Sequence, residues 1–225
     1  MPKVKHVKEI NPGRVLYKDE HLLVVNKLAG ELVVAAGGKG KQPLFDFLKK
    51  TNPGLRVVHR LDFGTSGVIV FALTADAVAR IRERNFKGWK KTYHALVAGY
   101  IERKFGTIEY KLKARTNDML VDAVSHYRVL EAFQHASYVA VDIDTGRKHQ
   151  IRQHMKHIGH PLLLDPLYGD EKKDRAFKKN FHYSRFFLHA YSLDFPHPIT
   201  GVPIHVEAEL PAAFESVLNK LRERR

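Results

Sequence analysis

Apolar positions fall in short runs separated by glycine, proline and charge, and the spacing changes along the chain. After a turn signal at Pro12-Gly13, Val15-Leu16-Tyr17 and Leu22-Leu23-Val24-Val25-Asn26-Lys27 read as strands. Leu44 to Lys50 reads as a brief helix, and Val57 to Leu73 as two β-rich runs around the polar break Arg60 to Gly67. Ala75, Val78, Ala79 and Arg82 at i, i+3, i+4, i+7 predict a helix over Ala75 to Phe86. From Lys91 to Asp144 the β signal dominates, in Tyr93 to Val97, Gly106 to Lys113, Tyr127 to Leu130 and Tyr138 to Ile143. The last run alternates, with Val139, Val141 and Ile143 on one face and Tyr138, Ala140 and Asp142 on the other. A helix over His149 to Ile158 carries the stripe Ile151, Met155, Ile158 and is stopped by Gly159 and Pro161. Lys172 to Arg185 reads as a basic loop, and a helix from Pro211 closes the chain. Strands in runs, without strict strand–helix alternation, predict a mixed α+β fold.

Composition narrows the class. The 225 residues are 44% hydrophobic and 28% charged, which excludes disordered, collagenous and coiled-coil chains. The longest apolar run, Val68 to Leu73, is far short of the ~20 residues that span a bilayer. There is no cysteine, hence no disulfide, thiolate nucleophile or Cys-ligated metal, and the basic start lacks a signal's apolar core. The expectation is a cytoplasmic protein with a basic extension over 1–13 and one domain over 14–225. Lys and Arg total 38 against 24 Asp and Glu, a net charge of +14 that favours polyanionic partners, nucleic acid foremost.

Three constellations can carry chemistry. In His59-Arg60-Leu61-Asp62, Asp62 sits where a buried-type strand gives way to the turn Phe63-Gly64-Thr65-Ser66-Gly67. A carboxylate there can act as nucleophile or base. It can equally pin the turn by accepting from the amides of Gly64 or Thr65. In Asp144-Thr145-Gly146-Arg147-Lys148-His149-Gln150-Ile151-Arg152, a strand ends and a helix opens with cationic heads, which suits a phosphate-bearing ligand or an arginine serving a catalytic carboxylate. In Lys90-Lys91-Thr92-Tyr93-His94-Ala95, Tyr93 is either plain core or a stacking partner for a nucleobase beside phosphate-binding lysines. His149, His154, His157 and His160 crowd one helix, but no Cys, Asp or Glu joins them and no His-Glu-x-x-His is present, so no metal site is expected. Gly37 to Lys41 lacks phosphate-loop spacing and reads as a basic loop.

In order, these segments resemble the RluA-type pseudouridine synthases. The resemblance is carried by Val24 to Lys27 with Ala29-Gly30, by His59 to Asp62 with Thr65-Ser66-Gly67, and by Lys91 to Val97. Thr145 to Arg152 with His154, Gly159 to Pro161, Asp165 to Gly169, Leu188 to Ala190 and Phe195 to Gly201 complete it, so that it runs from about Val15 to Pro211. It implies a pseudouridine synthase fold: a mixed, largely antiparallel sheet in two lobes with flanking helices and a central catalytic cleft. It implies isomerisation of specific uridines to pseudouridine in rRNA or tRNA, without metal or cofactor. Asp62 matches the aspartate that acts on the ribose, by attack or by proton abstraction. Tyr93 matches the tyrosine that stacks on the base, Arg152 the basic residue that pairs with the aspartate, and Arg60 the residue that assists flipping. His59, Thr65, Lys91, Arg147, His149 and Gln150 fall in the same motifs and are expected to contact RNA.

Extruding a base costs a few kcal/mol, which phosphate contacts of so basic a protein can offset. Two departures stand out: Leu28 where the family usually has proline, and Glu31 to Ala35 after Gly30. The partner expected is RNA, with no membrane and no obligate protein partner, and the chain is expected to act as a monomer. The alternative function is a non-catalytic RNA-binding module that kept the fold; a metal hydrolase built on the histidine cluster would need stoichiometric metal.

Overall fold

The computed structural model describes residues 10–35, 42–114, 119–181, 183 and 185–224. The lysines of the 1–9 segment and the Gly37 to Lys41 loop lie outside them. The elements are β1 (Val15–Lys18), β2 (Leu22–Lys27), α1 (Leu44–Lys49), β3 (Arg56–Val57), β4 (Ser66–Ala72), α2 (Ala75–Glu83), β5 (Lys90–Ala98) and β6 (Phe105–Glu109). They continue with β7 (Leu112–Lys113), β8 (Leu120–Val121), β9 (Val124–Phe133), β10 (Ala136–Ile143), α3 (Gln150–His157), α4 (Glu171–Phe181), β11 (Leu188–Pro196), β12 (Pro203–Glu207) and α5 (Ala212–Arg222). This is a mixed α+β chain, as the runs of strands predict. It divides into two compact units, one running to Trp89 and taking back Asp194–Ala208, the other comprising Lys90–Leu193 and Glu209–Arg225.

In the first unit β2 pairs antiparallel with β1 and with β4, placing Lys27 opposite Gly67, and β3 also pairs with β4. Leu23 and Val25 of β2 and Ile69 and Phe71 of β4 share a core with Leu44 and Leu48 of α1, Val33 and Leu55. Thr74 caps α2, its hydroxyl accepting from the amide of Ala77. The helix ends earlier than its periodicity predicts, because Asn85 and Phe86 turn into left-handed backbone ahead of Gly88.

The odd member of this unit is Lys27. It is fully buried, at the end of a strand otherwise made of apolar residues and Asn26. Its ammonium has three protons and finds three backbone carbonyls, Leu28 at 3.0 Å, Phe63 at 3.3 Å and Thr65 at 2.6 Å. Two of these belong to the turn that follows Asp62. The amide of Gly30 donates to the carbonyl of Phe63 as well, so the segments 27–31 and 62–65 are stitched together. Burial pushes the Lys27 amine down to about 8, while the carboxylates of Glu31 and Asp62 act to raise it.

In the second unit β10 lies antiparallel between β5 and β9, and β6 pairs with β9. The predicted alternation holds. Val139, Val141 and Ile143 share a core with Ala95 and Val97 of β5 and with Ile151 and Met155 of α3. Tyr138 joins Leu96, Ala98 and Phe133 in a separate core with α4 and α5. Two expectations are corrected. The predicted strand Gly106 to Lys113 breaks at Tyr110-Lys111, its first part pairing with β9 and Leu112–Lys113 with β8. Much of the predicted basic loop Lys172 to Arg185 is helix α4. Its charge hides an i, i+4 pair, Phe177 and Phe181, that stacks at 4.4 Å and seats the helix on the core. Asp170 accepts from the amides of Lys172 and Lys173 at its start.

Phe71→Ala should cost about 3–5 kcal/mol in urea denaturation and Thr74→Ala about 1 kcal/mol. Because Lys27 has a lower pKa folded than its ordinary 10.5, the unfolded chain binds more protons between about pH 8 and 10.5, and stability gains with pH there. Measured against Lys27→Met at about pH 7.5 and about pH 10, wild type should gain roughly 2 kcal/mol at the higher pH; a pH-independent gap would refute the lowered pKa of Lys27.

Candidate active site

In the first unit the chain leaves β3, passes His59 and Arg60, turns at Asp62 and enters β4. The amide of Thr65 donates to the main-chain carbonyl of Asp62 at 3.1 Å, not to its carboxylate, so backbone closes this turn. Asp62 is half-buried, Arg60 and Phe63 are exposed, and Thr65 is buried. Thr65 lends its carbonyl to Lys27, and its hydroxyl finds no hydrogen-bond partner among the described residues. His59 serves the scaffold: its Nε2 accepts from the amide of Val70 at 3.1 Å, and its ring meets Trp89 edge-on at 5.7 Å.

The Leu28 departure has a physical counterpart. The amide of Leu28 donates to Glu31 Oε2 at 2.8 Å, a bond that proline has no hydrogen to make. Glu31 also receives the Arg14 guanidinium in a two-pronged pair at 3.0 and 2.6 Å, while Arg14 Nε donates to the carbonyl of Asn26. The two unusual features of this loop are therefore one arrangement.

In the second unit Tyr93 lies opposite Val141, half-buried, packed on the core that α3 completes. Lys91 shares that face two positions earlier, and burial lowers its pKa. A Cβ on Gly146 would come within 3.8 Å of its Nζ, which places the amine over the turn that leads to α3. On the reverse face of β5, His94 stacks on Tyr191 at 4.0 Å with its Nδ1 2.6 Å from the Tyr138 hydroxyl, and burial holds its imidazole down at about 4.

The segment before α3 divides into residues that build it and residues it displays. Gln150 is buried; its amide donates to the Val124 carbonyl and Ser125 hydroxyl, and its Oε1 accepts from the Thr145 hydroxyl and the Arg147 amide. It holds the turn in place of an acidic cap. Arg147 is exposed, with Nε 3.3 Å from the carbonyl of Asp122. His149 has left-handed backbone, φ 55° and ψ 27°, and its Nδ1 lies 3.2 Å from the Tyr168 hydroxyl. Strain of that kind in a residue with a Cβ is concentrated at functional sites.

Arg152 is buried and two-pronged on Asp165, Nε to Oδ2 at 2.6 Å and Nη2 to Oδ1 at 2.7 Å. The pair offsets the burial of both charges, and the hydrogen bonds from Arg152 help hold the Asp165 carboxyl below its ordinary range against a desolvation that raises it. The sequence motif contains Asp165, but only the fold shows what it binds. The histidines of α3 and the one just beyond it have separate occupations: His154 Nε2 bonds the Tyr110 carbonyl, His157 stacks on the Tyr110 ring at 4.0 Å, and His160 Nδ1 bonds the Ala98 carbonyl. Among the described residues no group of three His, Asp or Glu side chains could hold a metal ion.

Comparisons with known proteins identify the family. A family model described as RNA pseudouridylate synthase matches residues 21–157. The chain is 37% identical to ribosomal large subunit pseudouridine synthase D of Pseudomonas aeruginosa, covering 94% of this chain and 72% of that protein. It is 34% identical to tRNA pseudouridine synthase C of Yersinia pestis, covering 92% and 90%. The structure of human RNA pseudouridylate synthase domain containing 4 superposes with a TM-score of 0.77 at 25% identity over 92% of each chain. Matched over more than half its length by the family model and over nearly all of it by these relatives, the chain belongs to the RNA pseudouridylate synthase family.

Proposed function

We propose that Asp62, Tyr93 and Arg152 carry the isomerisation of uridine to pseudouridine in RNA, in the roles the resemblance assigns them, and that the substrate is rRNA or tRNA. The observation that carries this reading is the Asp62 turn. A half-buried carboxylate sits on a loop closed by its own backbone and anchored from beneath by a fully buried lysine. A carboxylate needed only to pin the turn would have no use for that anchoring. Tyr93 and Lys91 on one face of β5 offer a base platform and a cation, Arg60 and Arg147 are exposed for phosphates, and His149 sits beside Tyr168. His59 and Gln150 support these contacts from the scaffold.

The reaction needs no oxidant. The bond from the anomeric carbon to the base nitrogen breaks, the base rotates, a bond to its carbon 5 forms, the hydrogen on carbon 5 leaves as a proton, and the freed nitrogen carries a proton in the product, so that atoms and charge balance. The net charge of +14 supports a polyanionic substrate. The bacterial rRNA- and tRNA-modifying relatives support a cytoplasmic setting, and the apolar cores formed within the chain support a monomer.

Uridine tritiated at carbon 5, in unmodified tRNA and in large-subunit rRNA offered separately, should release tritium with wild type. Asp62→Ala should reduce release by at least about a thousandfold while still binding RNA. Binding without release by wild type from either RNA would favour the binding-module reading. Equal release from both proteins would put the chemistry on another residue.

A further inference from the structure

The Arg152–Asp165 pair is built with more constraint than charge neutralisation requires. Arg152 is 4% exposed and Asp165 3%. In the plane of the guanidinium, Asp165 takes Nε and Nη2, which turns the Nη1 edge away from it. The guanidinium carbon also lies over two aromatic rings, 4.7 Å from the centroid of Phe186 and 5.1 Å from that of Tyr168. The carboxylate is fixed in turn, since Oδ1 accepts from the amides of Leu167 at 2.9 Å and Tyr168 at 3.1 Å. The loop closes on itself through Gly169, whose amide donates to the Asp165 carbonyl; a Cβ there would lie 2.5 Å from that oxygen and 2.6 Å from Asp174 Oδ2.

Stability does not explain such a pair. Buried ion pairs replaced by apolar residues of similar volume are often neutral or more stable, so what the pair supplies is direction. We propose that Asp165 is a positioning residue for the pseudouridylation reaction, fixing the orientation in which Arg152 acts while not itself touching the reacting nucleotide. The proposal rests on Arg152 taking part in the chemistry, as argued above.

Single-turnover tritium release separates the two claims when Asp165→Asn, Arg152→Gln and the double variant are compared with wild type, each checked for folding by circular dichroism at the assay temperature. Asp165→Asn should lower the rate at saturating RNA on the order of 100-fold, with RNA affinity changed by less than about threefold. Because the residues act as a unit, the double variant should be no slower than Arg152→Gln alone. A folded Asp165→Asn with the wild-type rate, beside a slow Arg152→Gln, would overturn the positioning role and leave Arg152 in place. Losses that multiply in the double variant would also overturn it. Full activity in Arg152→Gln would instead remove the reading of Arg152 itself. Should Asp165→Asn alone fail to fold, the double variant, which strands no unpaired charge, decides by the same comparison.

Discussion

A charged amine buried at the end of a strand dictates how two loops of the first unit meet. An unpartnered ammonium in a protein interior is prohibitively costly, and Lys27 is tolerated because three carbonyls converge on its three protons. Two of those carbonyls lie in the turn after Asp62, so that turn cannot relax without stranding the charge. The loop that holds the carboxylate thus owes its rigidity to an electrostatic debt elsewhere in the same unit.

The second unit answers a similar problem with a different donor. Arg152 has a planar fork where Lys27 has a point charge, and it is matched by a carboxylate instead of carbonyls. Lysine accepts three acceptors spread around it and so ties segments together. Arginine with a two-pronged partner is held in one plane and one direction. The choice of cation in each unit therefore fits what it holds: a loop in the first, an oriented side chain in the second.

Departures from a family pattern become intelligible once they are seen together. Leu28 restores an amide hydrogen that proline would lack, Glu31 accepts it, and Arg14 neutralises Glu31 from the preceding turn. One substitution creates a donor and the other an acceptor. The segment still meets the Asp62 turn through Gly30 and Lys27, so the anchoring survives the change of loop chemistry.

The sequence by itself determined the α+β class, most strand and helix positions, the face on which each residue of β10 lies, and the family. These depend on period and local chemistry, which a linear reading preserves. It placed Asp62, Tyr93 and Arg152 in recognisable motifs. It misread α4, because eleven residues rich in Lys, Arg, Asp and Glu look like solvent until Phe177 and Phe181 find a core. Tertiary structure alone decided which polar groups meet. Nothing local reveals that Lys27 seeks carbonyls 36 and 38 residues away, that Asp165 answers Arg152, that His59 accepts from an amide of β4, or that Gln150 donates to a carbonyl of β9. The reason is physical: apolar burial is non-directional and can be read from pattern, whereas a buried charge is stable only where particular atoms from distant segments converge on it.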